Sequence, residues 1–428
     1  MNNQKKLFKF SSIFFAFFMA MMFAFATSTT SEAATLGKVT NVTQTYGELD
    51  GSKYYIDLEY TPVSGASGYA VQISKDKINW EWAENSAYST NNRFSIGNET
   101  TLTAGSIYYV RVVPLFTNSD GITYDEDDAA AATVVQVVTA PAKLANVVQT
   151  TGTAKTVTAK WATVPGATGY NVYVKKYGDS KYTYNGTTSS LSYVVKNLTE
   201  DSAYYVAVAP IKKSLAGYTA EADASGYAFR TLPKKVSTIA GLWTINSKKL
   251  SVSWASSFWV DGYELQFFNA KGKKIKTATL DASSYGSVKI YNFTKAPKNG
   301  SCSVKVRSFI KTTSGAKAYS EWSKKTYFLS QANMPAKKYN LSKGSLTLKW
   351  TKVTGAKKYV IYAGTSATKM KKVATVSSKK TSYTIKKIGG SKINSYSTYY
   401  VKVVPQGKLG GKTVKGDHGY YWKIYKKY

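Results

Sequence analysis

Few residues in this chain are equipped for catalysis. His418 is the only histidine among 428 residues, and it stands beside Asp417 in a late glycine-rich stretch. One imidazole next to one carboxylate, with no nucleophile in a matching context, falls short of a Ser-His-Asp arrangement. The Asp-His adjacency reads as a turn. No H-x-x-H or C-x-x-C spacing offers zinc ligands, and no glycine-rich phosphate loop leads from a strand into a helix. Paired carboxylates for glycosidase chemistry would come mostly from the first third of the chain. Beyond Lys234 the only acids are Asp261, Glu264, Asp281, Glu321 and Asp417. The residue inventory therefore predicts no enzyme, no catalytic residues and no cofactor.

Binding chemistry is better represented. Asp125, Glu126, Asp127 and Asp128 are consecutive acids whose oxygens suit calcium. Their spacing misses the EF-hand loop, and a solvated acidic run is the competing account. Trp80 and Trp82 lie two apart and share a face if they sit on a strand. Flanked by Asn79, Glu81 and Glu84, they are candidates to stack on sugar rings, with ordinary strand packing as the alternative. Lys371-Lys372, Lys379-Lys380, Lys386-Lys387 and Lys426-Lys427 are paired cations suited to a polyanion.

What must position these groups is a repeated element. The phrase Trp161-Ala-Thr-Val-Pro-Gly-Ala-Thr-Gly-Tyr170 has counterparts at Tyr60 to Tyr69, Trp254 to Tyr263 and Trp350 to Tyr359. Its final Tyr recurs after 101, 93 and 96 residues, the length of a whole domain rather than of a solenoid unit. With Pro141, Pro233 and Pro335 at the junctions, the expected domains are 34–140, 141–233, 234–334 and 335–428. Short connections predict an extended, semi-flexible array. Charge separates the copies. Lys and Arg number 6, 10, 17 and 22 along the four, against 13, 5, 4 and 1 acids. The last two are therefore the expected polyanion binders, although a lysine-rich surface also serves solubility.

Within the second copy, Thr156 to Trp161, Gly169 to Val174, Ser190 to Val195, Tyr204 to Ala209 and Gly226 to Thr231 read as short strands between turn residues. No sustained helical period interrupts them, so the fold expected is an all-β sandwich. A second phrase, Tyr-x-Val-x-Val, starts at Tyr108, Tyr204 and Tyr399, with Tyr also at its second position; Leu102 and Leu198 lie six before Tyr108 and Tyr204. Together with the early Trp, these residues resemble the fibronectin type III domain, and repeats 3 and 4 look most like the modules of clostridial surface proteins. The resemblance implies four tandem immunoglobulin-like β-sandwiches, with the Trp and Leu between the sheets and Tyr in a corner hydrogen bond. Cys302 occupies the corner position in repeat 3, where a buried, inert thiol is expected.

Lys5, Lys6 and Lys9 precede an uncharged run from Phe10 to Ala26, and Ser31-Glu32-Ala33 ends the polar stretch that follows. That layout predicts a signal peptide over 1–33, with Ala26 offering a second cleavage site. Cys302 is the only cysteine, which excludes an intrachain disulfide and points to a bacterial, Gram-positive secreted protein. The function expected is a secreted surface protein with no membrane span in its mature form. Its basic half would hold an anionic cell-wall polymer such as teichoic acid, and its acidic first repeat a glycan or protein partner. A passive spacer and a carbohydrate-binding accessory are the alternatives. Nucleic acid is a competing polyanion, but the Tyr residues fall at strand positions and export separates the chain from cytoplasmic nucleic acid.

Overall fold

The computed structural model describes residues 36–84, 88–118, 121–282, 287–335 and 339–425. The expected signal peptide, 1–33, and the pair Lys426-Lys427 lie outside the described residues.

The repeated phrase folds the same way four times, for a reason visible in its spacing. Its first aromatic ends one strand and its last Tyr enters the next, and the two rings meet between the sheets. Centroids are 5.0 Å apart for Tyr60–Tyr69, 5.3 Å for Trp161–Tyr170, 5.2 Å for Trp254–Tyr263 and 5.3 Å for Trp350–Tyr359. The intervening turn leaves a backbone N–H that the sandwich would otherwise bury unpaired. The Tyr hydroxyl six residues on accepts it: Val63 at 2.7 Å, Val164 at 3.1 Å, Ser257 at 2.9 Å and Val353 at 2.9 Å.

Around this joint each repeat builds a three-stranded sheet and a five-stranded sheet. In repeat 4 the smaller sheet has Ser345–Lys349 between Tyr339–Ser342 and Ser382–Ile385. The larger runs Lys371–Ser377, Lys358–Gly364, Tyr399–Leu409, Lys412–Lys415, with Trp422–Ile424 also on Tyr399–Leu409. Repeat 3 matches it strand for strand, with Lys274–Asp281 at the edge, then Gly262–Asn269 and Ser301–Lys311. In repeat 2 the same places are taken by Thr183–Thr188, Gly169–Lys176 and Ala203–Lys213, and in repeat 1 by Glu81–Trp82, Gly68–Ser74 and Ile107–Asn118. Period-2 alternation turns Val, Ile, Leu and the phrase aromatics inward. Leu346, Leu348, Tyr359, Ile361, Val401 and Val403 form one such core, and each apolar side chain so buried contributes about 1.5–3 kcal/mol. The architecture is the all-β sandwich expected.

Register fixes the second phrase. Tyr69, Tyr170, Tyr263 and Tyr359 lie opposite Pro114, Pro210, Ser308 and Pro405. Six residues before those partners stand Tyr108, Tyr204, Cys302 and Tyr399. The Tyr108 and Tyr399 hydroxyls accept the N–H of Thr103 and Asn394 at 2.9 and 2.7 Å. Cys302 replaces that corner bond, is buried, and has its thiol pushed up to about 12 by burial.

By compactness the chain divides in two. One unit runs to Thr150 and adds Thr158–Val195 and Tyr204–Phe229; the other holds Thr151–Val157, Lys196–Ala203 and Arg230–Tyr428. Inside the first, Val138 and Ala140 of repeat 1 pack with Ala220 and Ala222 of repeat 2. One helix departs from the all-strand expectation. Glu126–Ala131 covers part of the outer face of repeat 1, packing Ala129 against Ala70, Val113 and Leu115. Among the described residues no helix is long and apolar enough to cross a membrane.

Candidate polyanion-binding edge

Six of the lysines singled out in the sequence fall on one flank of repeat 4. Lys371 and Lys372 begin the edge strand of the larger sheet, opposite Ala363 and Tyr362. The chain then turns, with Lys380 N–H donating to Ser377 O at 3.0 Å, and carries Lys379 and Lys380 into Ser382–Ile385. That strand is the edge of the smaller sheet, and Lys386 and Lys387 follow it. Both sheet edges and their connection thus form a single flank. All six lysines are exposed, and their side chains have no hydrogen-bond or ion-pair partner among the described residues.

The same edge in the other repeats shows where the charge trend is displayed. In repeat 3 it carries Lys271, Lys273, Lys274 and Lys276, all exposed. In repeat 2 the strand Thr183–Thr188 is uncharged, and in repeat 1 the edge holds Glu81 and Trp82 after a loop containing Asp76. The repeat 3 set was not singled out in the sequence, although Lys273-Lys274 is also a pair. Its signal was position: Lys276 follows Tyr263, and Lys372 follows Tyr359, by 13 residues.

Other cations are already committed. Lys305 and Arg307 lie 4.2 and 4.5 Å from the Trp322 ring, and Arg307 is also 3.7 Å from Tyr319. Arg307 donates to Glu264 Oε2 through Nε at 3.0 Å and Nη2 at 2.6 Å. Burial, then Lys325 and Arg307, hold the Lys305 ammonium below its ordinary range. In repeat 4, Lys402 pairs with Asp417 at 2.7 Å and lies 5.4 Å from the Tyr362 ring. These groups brace the outer faces of the sheets; the edge lysines do not.

The candidates in repeat 1 are spent largely on packing. Arg111 covers a face of Trp80 at 4.4 Å, and Trp80 Nε1–H donates to Lys77 O at 3.1 Å. Trp82 meets Tyr124 edge-on at 4.8 Å over the small cluster beneath the helix. Asp125 is the helix N-cap, its Oδ1 accepting from Asp127 N at 2.8 Å and Asp128 N at 3.3 Å. Asp128 Oδ2 accepts from Leu36 N at 3.1 Å, so the run of acids Asp125, Glu126, Asp127 and Asp128 folds as a capped first turn. Among the described residues, no group of three or more His, Cys, Asp or Glu is arranged to hold a metal ion. An open cavity of 540 Å³ beside Trp82 is lined by Lys75, Asp76, Asn79 and Glu81. Asp76 there accepts Ile78 and Asn79 N–H at 2.8 Å each, which keeps its carboxyl well below the usual range.

His418 is more than a turn residue. Its Nδ1 accepts from Trp243 N–H at 3.3 Å, and its Nε2 lies 2.7 Å from Leu329 O. It therefore ties repeat 4 to repeat 3, and burial pushes its pKa down.

The site is thus a charged edge on a tandem β-sandwich array. No family model and no curated protein matches the chain. Among solved structures it is similar to the FN1–FN3 domains of chicken CNTN1, at 16% identity over 68% of this chain and 98% of that one, with a TM-score of 0.26. It is also similar to a two-domain fibronectin type III segment of chicken tenascin, at 15% identity over 43% of this chain and 98% of that one, again at 0.26. The sandwich architecture itself stands on the strand order, register and core packing described above.

Proposed function

We propose that the chain is a secreted, non-enzymatic array of fibronectin type III-like modules. Repeats 3 and 4 dock on an anionic polymer of the cell envelope, and acidic repeat 1 meets a glycan or protein partner. The observation that carries this reading is the flank of repeat 4, where Lys371, Lys372, Lys379, Lys380, Lys386 and Lys387 are exposed and, among the described residues, without side-chain partners. A lysine or two on an edge strand blunts unwanted strand pairing. That purpose needs no charge in the turn or beside the edge of the second sheet, whereas a linear polyanion lying along the flank meets all six. Lysine acts there as a point charge that neutralises phosphate and releases counterions. The exposed large hydrophobics of repeat 4, Tyr396, Tyr421 and Tyr425, lie outside the flank strands. Their absence from the flank favours a polyphosphate such as teichoic acid over single-stranded nucleic acid, which needs stacking platforms.

The test is binding to poly(glycerol phosphate) across a salt series, comparing the parent with a variant carrying Glu at 371, 372, 379 and 380. Affinity should fall linearly on a log–log plot. The variant should bind more weakly, with a slope shallower by about 3, at roughly 0.7 per contact. Binding that survives high salt would refute an electrostatic dock, a variant that binds like the parent would refute this flank as its site, and no binding by either would leave the passive-spacer reading. Tighter binding to oligo-dT than to the polyphosphate would favour nucleic acid.

A further inference from the structure

Repeat 2 departs from its neighbours on the outer face of its larger sheet. In repeats 1, 3 and 4 the central register position holds Arg111, Lys305 and Lys402, each lying over an aromatic ring. Repeat 2 has Ala207 there, opposite Tyr173. Its rings face solvent instead: Tyr177 is 57% exposed and Tyr184 is 61% exposed. Each is held from behind by a second ring. Tyr177 stacks on Tyr205 at 6.4 Å, and Tyr184 meets Tyr173 edge-on at 5.8 Å.

Beside them runs a polar relay. Tyr184 and Thr187 hydroxyls are 2.7 Å apart, and Thr187 donates to Asn171 Oδ1 at 2.5 Å. Asn171 Nδ2 donates to Glu221 Oε2 at 2.9 Å, and Tyr173 to Glu221 Oε1 at 2.6 Å. The charges on this face are engaged from within. Glu221 holds two donors, and Lys175 lies over Tyr182 at 4.9 Å and Tyr205 at 5.2 Å. From Tyr182 to Val195 the chain has no charged residue at all, although it carries 58 Lys and Arg in total. Repeats 3 and 4 line the equivalent edge with lysine.

From this juxtaposition we propose that the outer face of repeat 2 is a binding platform for a neutral polysaccharide. Pre-oriented Tyr rings offer flat apolar area at low entropic cost. Pyranose rings present matching C–H faces and a rim of hydroxyls, which Thr187, Asn171 and Glu221 are placed to meet. The lack of charge at the edge selects against the polyanions that suit repeats 3 and 4. This site is independent of the lysine flank.

The test is affinity electrophoresis and calorimetry of the full chain with hydroxyethyl cellulose, laminarin and glycol chitin in 0.5 M NaCl. At that salt an electrostatic dock is suppressed. At least one neutral polymer should bind, and Tyr177→Ala with Tyr184→Ala should weaken it on the order of tenfold or more, while Phe at both positions retains most binding. Failure of all three polymers, or an unchanged double-alanine variant with a parent-like melting curve, overturns the proposal. So does concentration-dependent dimerisation that the same two substitutions abolish, since the face would then be a contact between copies. Loss of polyphosphate binding with polysaccharide binding intact, or the reverse, separates this site from the lysine flank.

Discussion

Because His418 is the only imidazole, its titration can be read without assignment ambiguity, and the structure dictates the outcome. The ring is placed to accept Trp243 N–H at Nδ1 and to donate from Nε2 to Leu329 O, an arrangement that only the neutral Nε2–H tautomer satisfies. Protonation would set a second N–H against the Trp243 donor. Burial is the main cause that lowers the pKa from 6.5. Asp417 pulls the other way, but its carboxylate is paired with Lys402 at 2.7 Å. With the folded value the lower one, the unfolded state takes up the proton first. Stability is therefore fully present above the ordinary value and falls as pH drops through it, levelling off once the folded ring also protonates. The loss is at most about 1.4 kcal/mol per pH unit, or roughly tenfold in the opening equilibrium. Imidazole ¹H–¹⁵N spectra should show the Nε2–H tautomer at neutral pH and a midpoint below 6.5. Exchange of the Trp243 amide should accelerate on acidification beyond its intrinsic dependence. His418→Gln, which keeps an acceptor and a donor but cannot titrate, should flatten that response. Elsewhere in the chain, Glu48 has its carboxyl raised by burial and by Glu221 and Asp223, so it titrates with the opposite sign. The Trp243 amide is the more specific probe for that reason. A midpoint at or above the ordinary value, an Nδ1–H tautomer, or a pH response unchanged in the Gln variant would refute the reasoning.

Two further outcomes follow from buried groups. Tyr359→Phe removes the hydroxyl that accepts Val353 N–H inside repeat 4, and an orphaned buried donor should cost about 1–3 kcal/mol, read as a lower denaturation midpoint for that repeat. Cys302, with its thiol pushed up to about 12, should not react with a disulfide reagent at pH 8 in the native protein and should react stoichiometrically once unfolded; rapid native labelling would contradict its burial.

The recurring phrase made the sandwich legible because its residues are the core itself. The spacing between its aromatic and its Tyr sets a ring contact and a hydroxyl-to-backbone bond that every copy needs. Strands with one inward face, such as Gly169–Lys176, carried their alternation into the sequence. The edge strand Thr183–Thr188 did not, since none of its residues is buried and no period survives. The helix Glu126–Ala131 was hidden by its brevity, and its acids read as ligands because capping and chelation draw on the same oxygens. The partners of His418, in Trp243 and Leu329, are far off in sequence, so no local pattern could announce them. Lysine pairs occur in both basic repeats, and it is the register that places Lys273-Lys274 on the edge corresponding to the repeat 4 flank.

One register position shows how a common fold comes to hold different chemistries. Arg111, Ala207, Lys305 and Lys402 each stand three residues after the corner position. Because the strand buries the residues on either side, this side chain must point away from the core. Its backbone is fixed by the core, while its side chain packs only on outer-face neighbours, closely enough that Ala207 is 3% exposed. With a cation there, a neighbouring ring is covered: Trp80, Trp322 or Tyr362. Charge on that face then becomes part of the fold; in repeats 3 and 4 free cations are left at the edge, whereas the edge of repeat 1 holds Glu81 and Trp82. With Ala207 there, the rings of repeat 2 stay open and the edge beside them is neutral. The outer face and the edge thus each vary from repeat to repeat, while the core beneath them keeps one register. Changing Ala207 to Lys should, on that logic, draw a cation over Tyr173 or Tyr184 and convert the open face of repeat 2 into the braced kind found in the other three.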